Sequence, residues 1–360
     1  MNSLFSKERV NSGRQIEFDL AKCLSLVFMI LLHCLMVTGG FNNTISSFLQ
    51  KGIGQLVGEP YAAPVFMFAM GVGMVYSRNQ DPIYLIKRGV RTMFLGVIVN
   101  VGEFILPHFL AGNLLGEWEI FPIAGGLLLF CIDILAFAGM AMITIGLFKK
   151  LNLSSKQMLV IALVMSLAGS FLRFTDLGSN VANLIAGYFI GSAGGFTAFP
   201  LFNWIIFPVM GVFCGEYYIR CNDKKKLLRF WPIAIVISTA YFIASWYIPN
   251  SFLSEVHHYY FMTTLDALFC LIYIYGNTGF CLAVSGLLSD KAKSFISKMS
   301  GCLNEIYIVQ WFLIPLTYIF IAYFKRDIVF GNLSLFIIAA LELAAATAIA
   351  FAYKGKKKRS

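Results

Sequence analysis

The chain has 360 residues, 59% of them hydrophobic types and 13% charged, about half the charged share of an ordinary soluble domain. That balance excludes a soluble globular enzyme. The formal net charge of +10 sits largely in short loops and at the C-terminus, which bilayer topology explains and nucleic-acid binding does not. The eight cysteines form no CxxC pair. Cys23, Cys34, Cys131, Cys214, Cys270 and Cys281 lie within apolar runs and read as small buried hydrophobes.

The apolar content falls into runs long enough to cross roughly 30 Å of hydrocarbon as helix. Strand barrels want alternating segments of about 10 residues, and runs such as Leu20 to Met36 are continuous. The expected fold is therefore all-α, a polytopic transmembrane helix bundle. Met1 to Glu17 is polar, and the first run lacks a small-x-small cleavage site, so no cleaved signal is expected. Ten spans follow in order, at 18–38, 58–77, 89–107, 127–148, 157–172, 201–219, 229–248, 262–287, 300–322 and 332–352. The apolar, Gly-rich stretches 110–127 and 180–199 are candidates for re-entrant or interfacial helices, which leaves eleven or twelve spans open.

Basic clusters orient the bundle. Lys7, Arg9 and Arg14 precede span 1, and Arg78, Lys87, Arg88 and Arg91 lie between spans 2 and 3. Lys149, Lys150 and Lys156 come next, then Arg220, Lys224, Lys225, Lys226 and Arg229, then Lys291, Lys293 and Lys298, then the tail from Lys354 to Arg359. All are expected on the cytoplasmic side, with both termini. Lys325 and Arg326, beside Asp327, run against the pattern. The division expected is a cytoplasmic segment 1–17, a transmembrane domain 18–352 and a basic tail 353–360.

Ionisable groups within spans are costly and mark functional sites by default. Span 1 carries Asp19, Lys22 and His33. Asp19 and Lys22 share a helical face, so they form an internal ion pair or leave a snorkelling lysine. His33 lies eleven positions beyond Lys22, about 16 Å along the axis, too far to touch it. An imidazole, with a reference pKa of about 6.5, suits removal of a proton from a hydroxyl or amine. Helix packing is the competing role for a lone membrane histidine. The other histidines are His108, His257 and His258; with no HxxxH and no cysteine cluster, a metal site is not expected. Glu59, just before Pro60, either orients the imidazole or serves as a first-turn acid on span 2. Asp133, Asp266, Glu216, Glu305 and Glu342 interrupt other runs, and Asn100, Glu103, Asn304 and Gln310 add hydrogen-bonding groups. So many polar groups imply a cavity or conduit. Gly71 and Gly73 suggest close helix contact in span 2. The segment Arg78 to Arg91 offers cations to a phosphate, or simply signals topology.

The stretch RQIEFDLAKCLSLVFMILLH, Arg14 to His33, resembles the first span of the multi-pass membrane acyltransferase superfamily, which includes bacterial sugar O-acyltransferases and heparan-alpha-glucosaminide N-acetyltransferase-like proteins. Asp19 and His33 match that pattern, and Lys22 stands where an arginine is expected. GEPYAAPVFMFAMGVGMVYSR, Gly58 to Arg78, resembles the heparan-type branch through Glu59, Pro64, Phe66, Phe68 and Gly71. KRGVRTMFLGVIVN, DIL at Asp133, FPLFNWIIFPVMGVFCG and NEIYIVQWFL continue the likeness in order. The resemblance implies transfer of an acetyl or other short acyl group from cytoplasmic acetyl-CoA, or a related acyl-CoA, to a sugar hydroxyl or amine on the far side. His33 would be base or acyl carrier with Glu59 beside it. Lys22, Arg88 and Arg91 would meet the coenzyme, with Asp19, Asn100, Asp133 and Asp266 in support. Expected partners are membrane lipid, a glycan or glycolipid acceptor and a second copy in a homodimer, in a bacterial-type cell membrane. The competing class is a transporter or flippase, whose mark would be discontinuous helices at matching depth in two halves.

Overall fold

The computed structural model describes residues 4–121, 127–192 and 198–357. Parts of the stretches 110–127 and 180–199, and the end of the basic tail, therefore lie outside the described residues. Those described form an all-α bundle whose β-type pairing is limited to isolated bridges, such as Phe5 with Cys221.

Among the described residues, eight helices are long and apolar enough to cross a bilayer: α1 (Ile16–Thr38), α2 (Phe48–Val75), α3 (Pro82–Leu115), α5 (Ser155–Leu172), α9 (Lys224–Ser245), α11 (Thr264–Ser285), α13 (Leu303–Phe324) and α14 (Asn332–Lys357). The chain is an integral, multi-pass membrane protein. Between them lie α4 (Ile134–Lys150), the short α6 (Asn180–Gly187), α7 (Leu201–Trp204), α8 (Ile206–Tyr218), α10 (Val256–Tyr260) and the lysine-rich α12 (Asp290–Ser300). Two of the ten expected spans thus fall short. α4 has 17 residues, and the run at 201–219 breaks at Ile205 into α7 and α8. Every residue from Ile134 to Met142 is buried. The first half of α4 is thus wrapped by protein on all sides and sees little lipid, while Leu147 towards its end is exposed.

Two boundaries move for one reason. Span 2 begins at Phe48, ten residues before its expected start at 58, because Phe48–Gly58 winds as π-helix into Glu59. Span 3 runs on to Leu115 through a second π stretch, Val101–Ile105. Each stretch ends just before a proline, Pro60 or Pro107. Proline lacks an N–H for the carbonyl four residues back and its ring crowds that carbonyl. A wider turn relieves the crowding without ending the helix, and such turns gather at functional sites. Glu59 N–H accordingly donates to the Gly54 carbonyl and Leu106 N–H to that of Val101. The 110–127 stretch therefore opens as a continuation of α3, stopped by Gly116 in the left-handed region at φ 78°.

Small residues let the buried helices approach. A Cβ on Gly71 would sit 2.0 Å from the Pro208 carbonyl oxygen, and one on Gly211 2.1 Å from that of Phe68. α2 and α8 therefore meet backbone to backbone, the membrane mode of close packing. Of the two glycines expected at a contact, only Gly71 makes it, since Gly73 has nothing within 4 Å. α3 and α4 meet similarly at Gly89 and Gly139.

The basic loops share one rim. The N-terminal segment binds the loop after α8, with Ser6 N donating to Arg220 O at 2.8 Å and Asn222 N to Leu4 O at 2.9 Å. Lys149 Nζ donates to Gln80 Oε1 at 3.1 Å, joining the α2–α3 loop to the end of α4. Lys354 pairs with Glu305 at 3.1 Å, bringing the chain's other end to this rim. The opposite rim holds Thr44, bonded to Phe330 O at 2.8 Å, and Arg326. Arg326 donates to the Leu114 and Leu115 carbonyls at 2.9 and 3.1 Å. It thereby caps the C-terminus of α3, where a cation complements the helix dipole. That contact gives Arg326 a structural role where it runs against the charge pattern.

Candidate functional site

α1 and α13 build the centre of the site. His33 of α1 faces Tyr307, Gln310 and Trp311, which share one face of α13 at spacings of three and four. The imidazole stacks on the Trp311 indole, with ring centroids 4.1 Å apart and planes 29° apart. Its edge meets Tyr307 at 6.0 Å. His33 Nδ1 lies 3.1 Å from the Gln310 side-chain amide, and among the described residues Nε2 has no protein partner.

Behind the imidazole runs a fixed polar chain. Trp311 Nε1 donates to Tyr307 Oη at 2.8 Å, and Tyr307 Oη donates to Asp133 Oδ2 at 2.5 Å. Asp133 stands at the N-terminus of α4 in extended backbone. Asn100 of α3 fixes the approach to it, donating to the carbonyls of Leu129 and Cys131 at 2.9 and 2.8 Å. Glu103 lies in the second π stretch, within Coulomb range of Asp133 and Tyr307. Glu59 follows the first π stretch, and Tyr259 Oη donates to its backbone carbonyl at 3.2 Å. Tyr260, whose carbonyl accepts from Trp204 Nε1 at 2.6 Å, is within Coulomb range of Glu59, Glu103 and Asp133 together. Five elements (α1, α2, α3, α13 and the segment entering α4) thus converge, and α10 reaches them through Tyr259 and Tyr260.

The cluster is short of donors. Among the described residues none of Glu59, Glu103 and Asp133 is ion-paired. Asn100 Oδ1 and Glu103 Oε2 are buried acceptors with no partner. Leaving such an atom unmet costs about 1–3 kcal/mol, so the arrangement favours a ligand rich in O–H or N–H groups. Chemically it offers one imidazole nitrogen, linked through Tyr307 to a region of carboxyl groups able to hold hydroxyls.

The other expected residues sit elsewhere. Asp19 is held by Arg14, by Ser300 Oγ at 2.7 Å and by Ser297 Oγ at 3.2 Å. Lys22 comes only to 4.0 Å from it. Asp19 therefore docks α1 onto α12, and the pairing with Lys22 is its weakest contact. Arg88 lines a shallow pocket at the basic rim with Ser77, Asn79, Gln80 and Lys149, and Arg91 is exposed one turn further. The Asp266 carboxylate accepts from Tyr241 at 2.7 Å, Ser251 at 2.9 Å, Phe252 N at 3.2 Å, and Thr263 N and Oγ1 at 2.8 and 2.6 Å. It anchors the loop before α11 as the acid of a capping box. His108 bonds Phe121 O at 2.6 Å, away from the centre, and His258 bonds Ser254 Oγ at 2.7 Å. The side chain of His257 lies outside the described residues.

The hydrogen bond to the imidazole comes from Gln310, while Glu59 enters the cluster through Tyr260. Tyr307, Trp311 and Tyr260 were not expected from sequence. The signal available for the first two was an aromatic pair at i, i+4 flanking a polar residue in an apolar run.

The model of one protein family, described as heparan-alpha-glucosaminide N-acetyltransferase, catalytic, matches residues 14–249. No curated protein and no solved structure matches the chain. The matched segment carries His33, Glu59, Asn100, Glu103 and Asp133, while Tyr307, Gln310 and Trp311 lie beyond it.

Proposed function

The chain belongs to the heparan-alpha-glucosaminide N-acetyltransferase catalytic family, and on that premise we propose that it moves an acetyl or other short acyl group from cytoplasmic acyl-CoA to a sugar hydroxyl or amine at the extracytoplasmic side. The observation that carries this reading is His33, held between Trp311 and Gln310 with Nε2 unpartnered among the described residues, and linked through Tyr307 and Asp133 to a region whose buried acceptors lack donors. In the proposed step the acceptor oxygen or nitrogen attacks the acyl carbonyl carbon while His33 Nε2 takes its proton. The tetrahedral intermediate collapses, the carbon–sulfur bond breaks, and the imidazolium returns the proton to the leaving thiolate. The products are the acylated sugar and free coenzyme thiol. Asn100, Glu103 and Glu59 receive the acceptor's hydroxyls, and Tyr307 and Asp133 hold Trp311 under the imidazole.

The accompanying topology has ten crossings, counting α4 and α7–α8 with the eight long helices. The basic rim and both termini face the cytoplasm, and segments 1–17 and 353–360 flank a transmembrane domain 18–352. Lys22, Arg88 and Arg91 supply cations for the coenzyme phosphates, and Arg88 shares its pocket with Lys149. The test is acceptor-dependent consumption of acyl-CoA by purified protein in nanodiscs. Positioned general-base catalysis is worth about 10²–10⁴-fold, and His33→Ala is expected to lose that much while still binding acyl-CoA. Turnover like the parent's would overturn the assignment. A folded protein that binds no acyl-CoA by calorimetry would favour a transporter.

A further inference from the structure

We propose, on the reading that His33 is the base, that Gln310 is a positioning residue: its side-chain oxygen accepts the His33 Nδ1 proton and so leaves the Nε2 lone pair for the acceptor. In the structure the amide nitrogen of Gln310 faces His33 Nδ1 at 3.1 Å, and Oε1 of the same amide is buried with no donor. The two orientations of this amide have opposite chemical consequences. With the nitrogen toward the ring, Nδ1 is an acceptor and the ring proton sits on Nε2, so the free nitrogen is a donor that takes no proton. With the oxygen toward the ring, Nδ1 keeps the proton and Nε2 is a base. Rotating the amide by half a turn exchanges its oxygen and nitrogen without moving another atom, and gives Oε1 the donor it lacks.

The surroundings leave this role to Gln310. The residue is fully buried, at 0% exposure, so water does not replace it. Tyr307 Oη is engaged by Asp133 and Trp311 and does not compete for the imidazole. The indole holds the ring plane but offers nothing to Nδ1, since its N–H points to Tyr307. An amide also fixes the tautomer without adding a carboxylate to a region that already holds Glu59, Glu103 and Asp133.

The experiment uses full-length protein in nanodiscs labelled with ¹⁵N-histidine, the His33 resonances being those that vanish in His33→Gln. The parent is expected to show the Nδ1–H tautomer. Gln310→Met should shift His33 toward Nε2–H and lower kcat about 10–100-fold, the scale found where a residue that orients a metal-bound histidine is lost, with KM little changed. Gln310→Glu keeps an acceptor oxygen in place and should retain Nδ1–H and recover most of the turnover. An Nε2–H tautomer in the parent overturns the proposal, as does a Gln310→Met protein as fast as the parent. Should Gln310→Met fail to fold, the tautomer of the parent decides alone. Failure of the base reading is separate: there His33→Ala itself turns over normally, whatever tautomer the parent holds.

Discussion

Tyr307→Phe removes a single oxygen from a side chain that is 2% exposed. That oxygen accepts from Trp311 Nε1 at 2.8 Å and donates to Asp133 Oδ2 at 2.5 Å, and the phenyl ring keeps the rest of the packing. Polar bonds inside membrane bundles average about 0.6 kcal/mol and reach about 1.7. Here both partners are left buried, and stranded groups cost more than the bond was worth. The expected loss is about 2–3 kcal/mol of stability. Trp311 also loses the anchor that holds it beneath His33, and turnover should fall about 10–100-fold, as for other supporting contacts to functional groups. Tyr318→Phe is the control. Its hydroxyl, also fully buried, meets Thr38 Oγ1 at 2.7 Å, but Thr38 keeps a second bond to the Cys34 carbonyl at 2.6 Å. Losing one hydrogen bond there should cost about 0.5–1.5 kcal/mol and leave turnover near normal. Both effects are read on protein in nanodiscs, stability from thermal unfolding followed by tryptophan fluorescence and turnover from acyl-CoA consumption. Equal losses in the two variants, or a Tyr307→Phe protein with parental turnover, would refute the view that this hydroxyl organises the site.

Gly71→Ala should destabilise the protein by at least the about 1–3 kcal/mol of an overpacked core, because its Cβ would lie 2.0 Å from the Pro208 carbonyl oxygen. Gly73→Ala, with nothing within 4 Å, should unfold at the parental temperature, so matching melting curves for the two would contradict the helix contact. Replacing Lys22 and Arg88 together by glutamine should weaken acyl-CoA binding in calorimetry, with a shallower salt dependence than the parent's; unchanged affinity would remove both from the coenzyme site. Single cysteines placed near either end of an otherwise cysteine-free variant should react only with reagent delivered to the cytoplasmic face. Labelling of either terminus from outside alone would reject the proposed orientation.

The helices were legible in sequence because hydrocarbon demands long apolar runs, and runs such as Leu20 to Met36 meet that demand on their own. The exceptions have local causes. α4 is short, and its first half, Ile134 to Met142, is shielded by its neighbours. The early start of α2 and the extension of α3 follow from π turns before Pro60 and Pro107, where hydropathy says nothing of winding. In the site, His33 stood out because histidine is rare in this chain and it interrupts an apolar run. Gln310 was visible as a polar residue, but nothing along the chain ties it to a histidine 277 positions away. Tyr307 and Trp311 look like ordinary members of an apolar helix until their ring contacts are known. Asp266 was legible as an acid interrupting an apolar run, and Thr263 three residues before it is the pattern of a capping box, which the structure shows formed.

The partners of α1 are made late. Gln310 follows His33 by 277 residues, and Ser300 follows Asp19 by 281. At the ordinary pace of synthesis, about 5–20 residues per second, α1 waits roughly 14–55 s in the membrane before α12 and α13 exist to receive it. An unpaired aspartate costs about 2.5–3.5 kcal/mol at the centre of an inserting helix, and less in the first turn, where Asp19 sits. Arg14, only five residues from Asp19, precedes the helix and is made before it. Their pairing is local in sequence and needs no later helix, so the first helix brings its own counter-ion and keeps it in the finished fold beside Ser297 and Ser300.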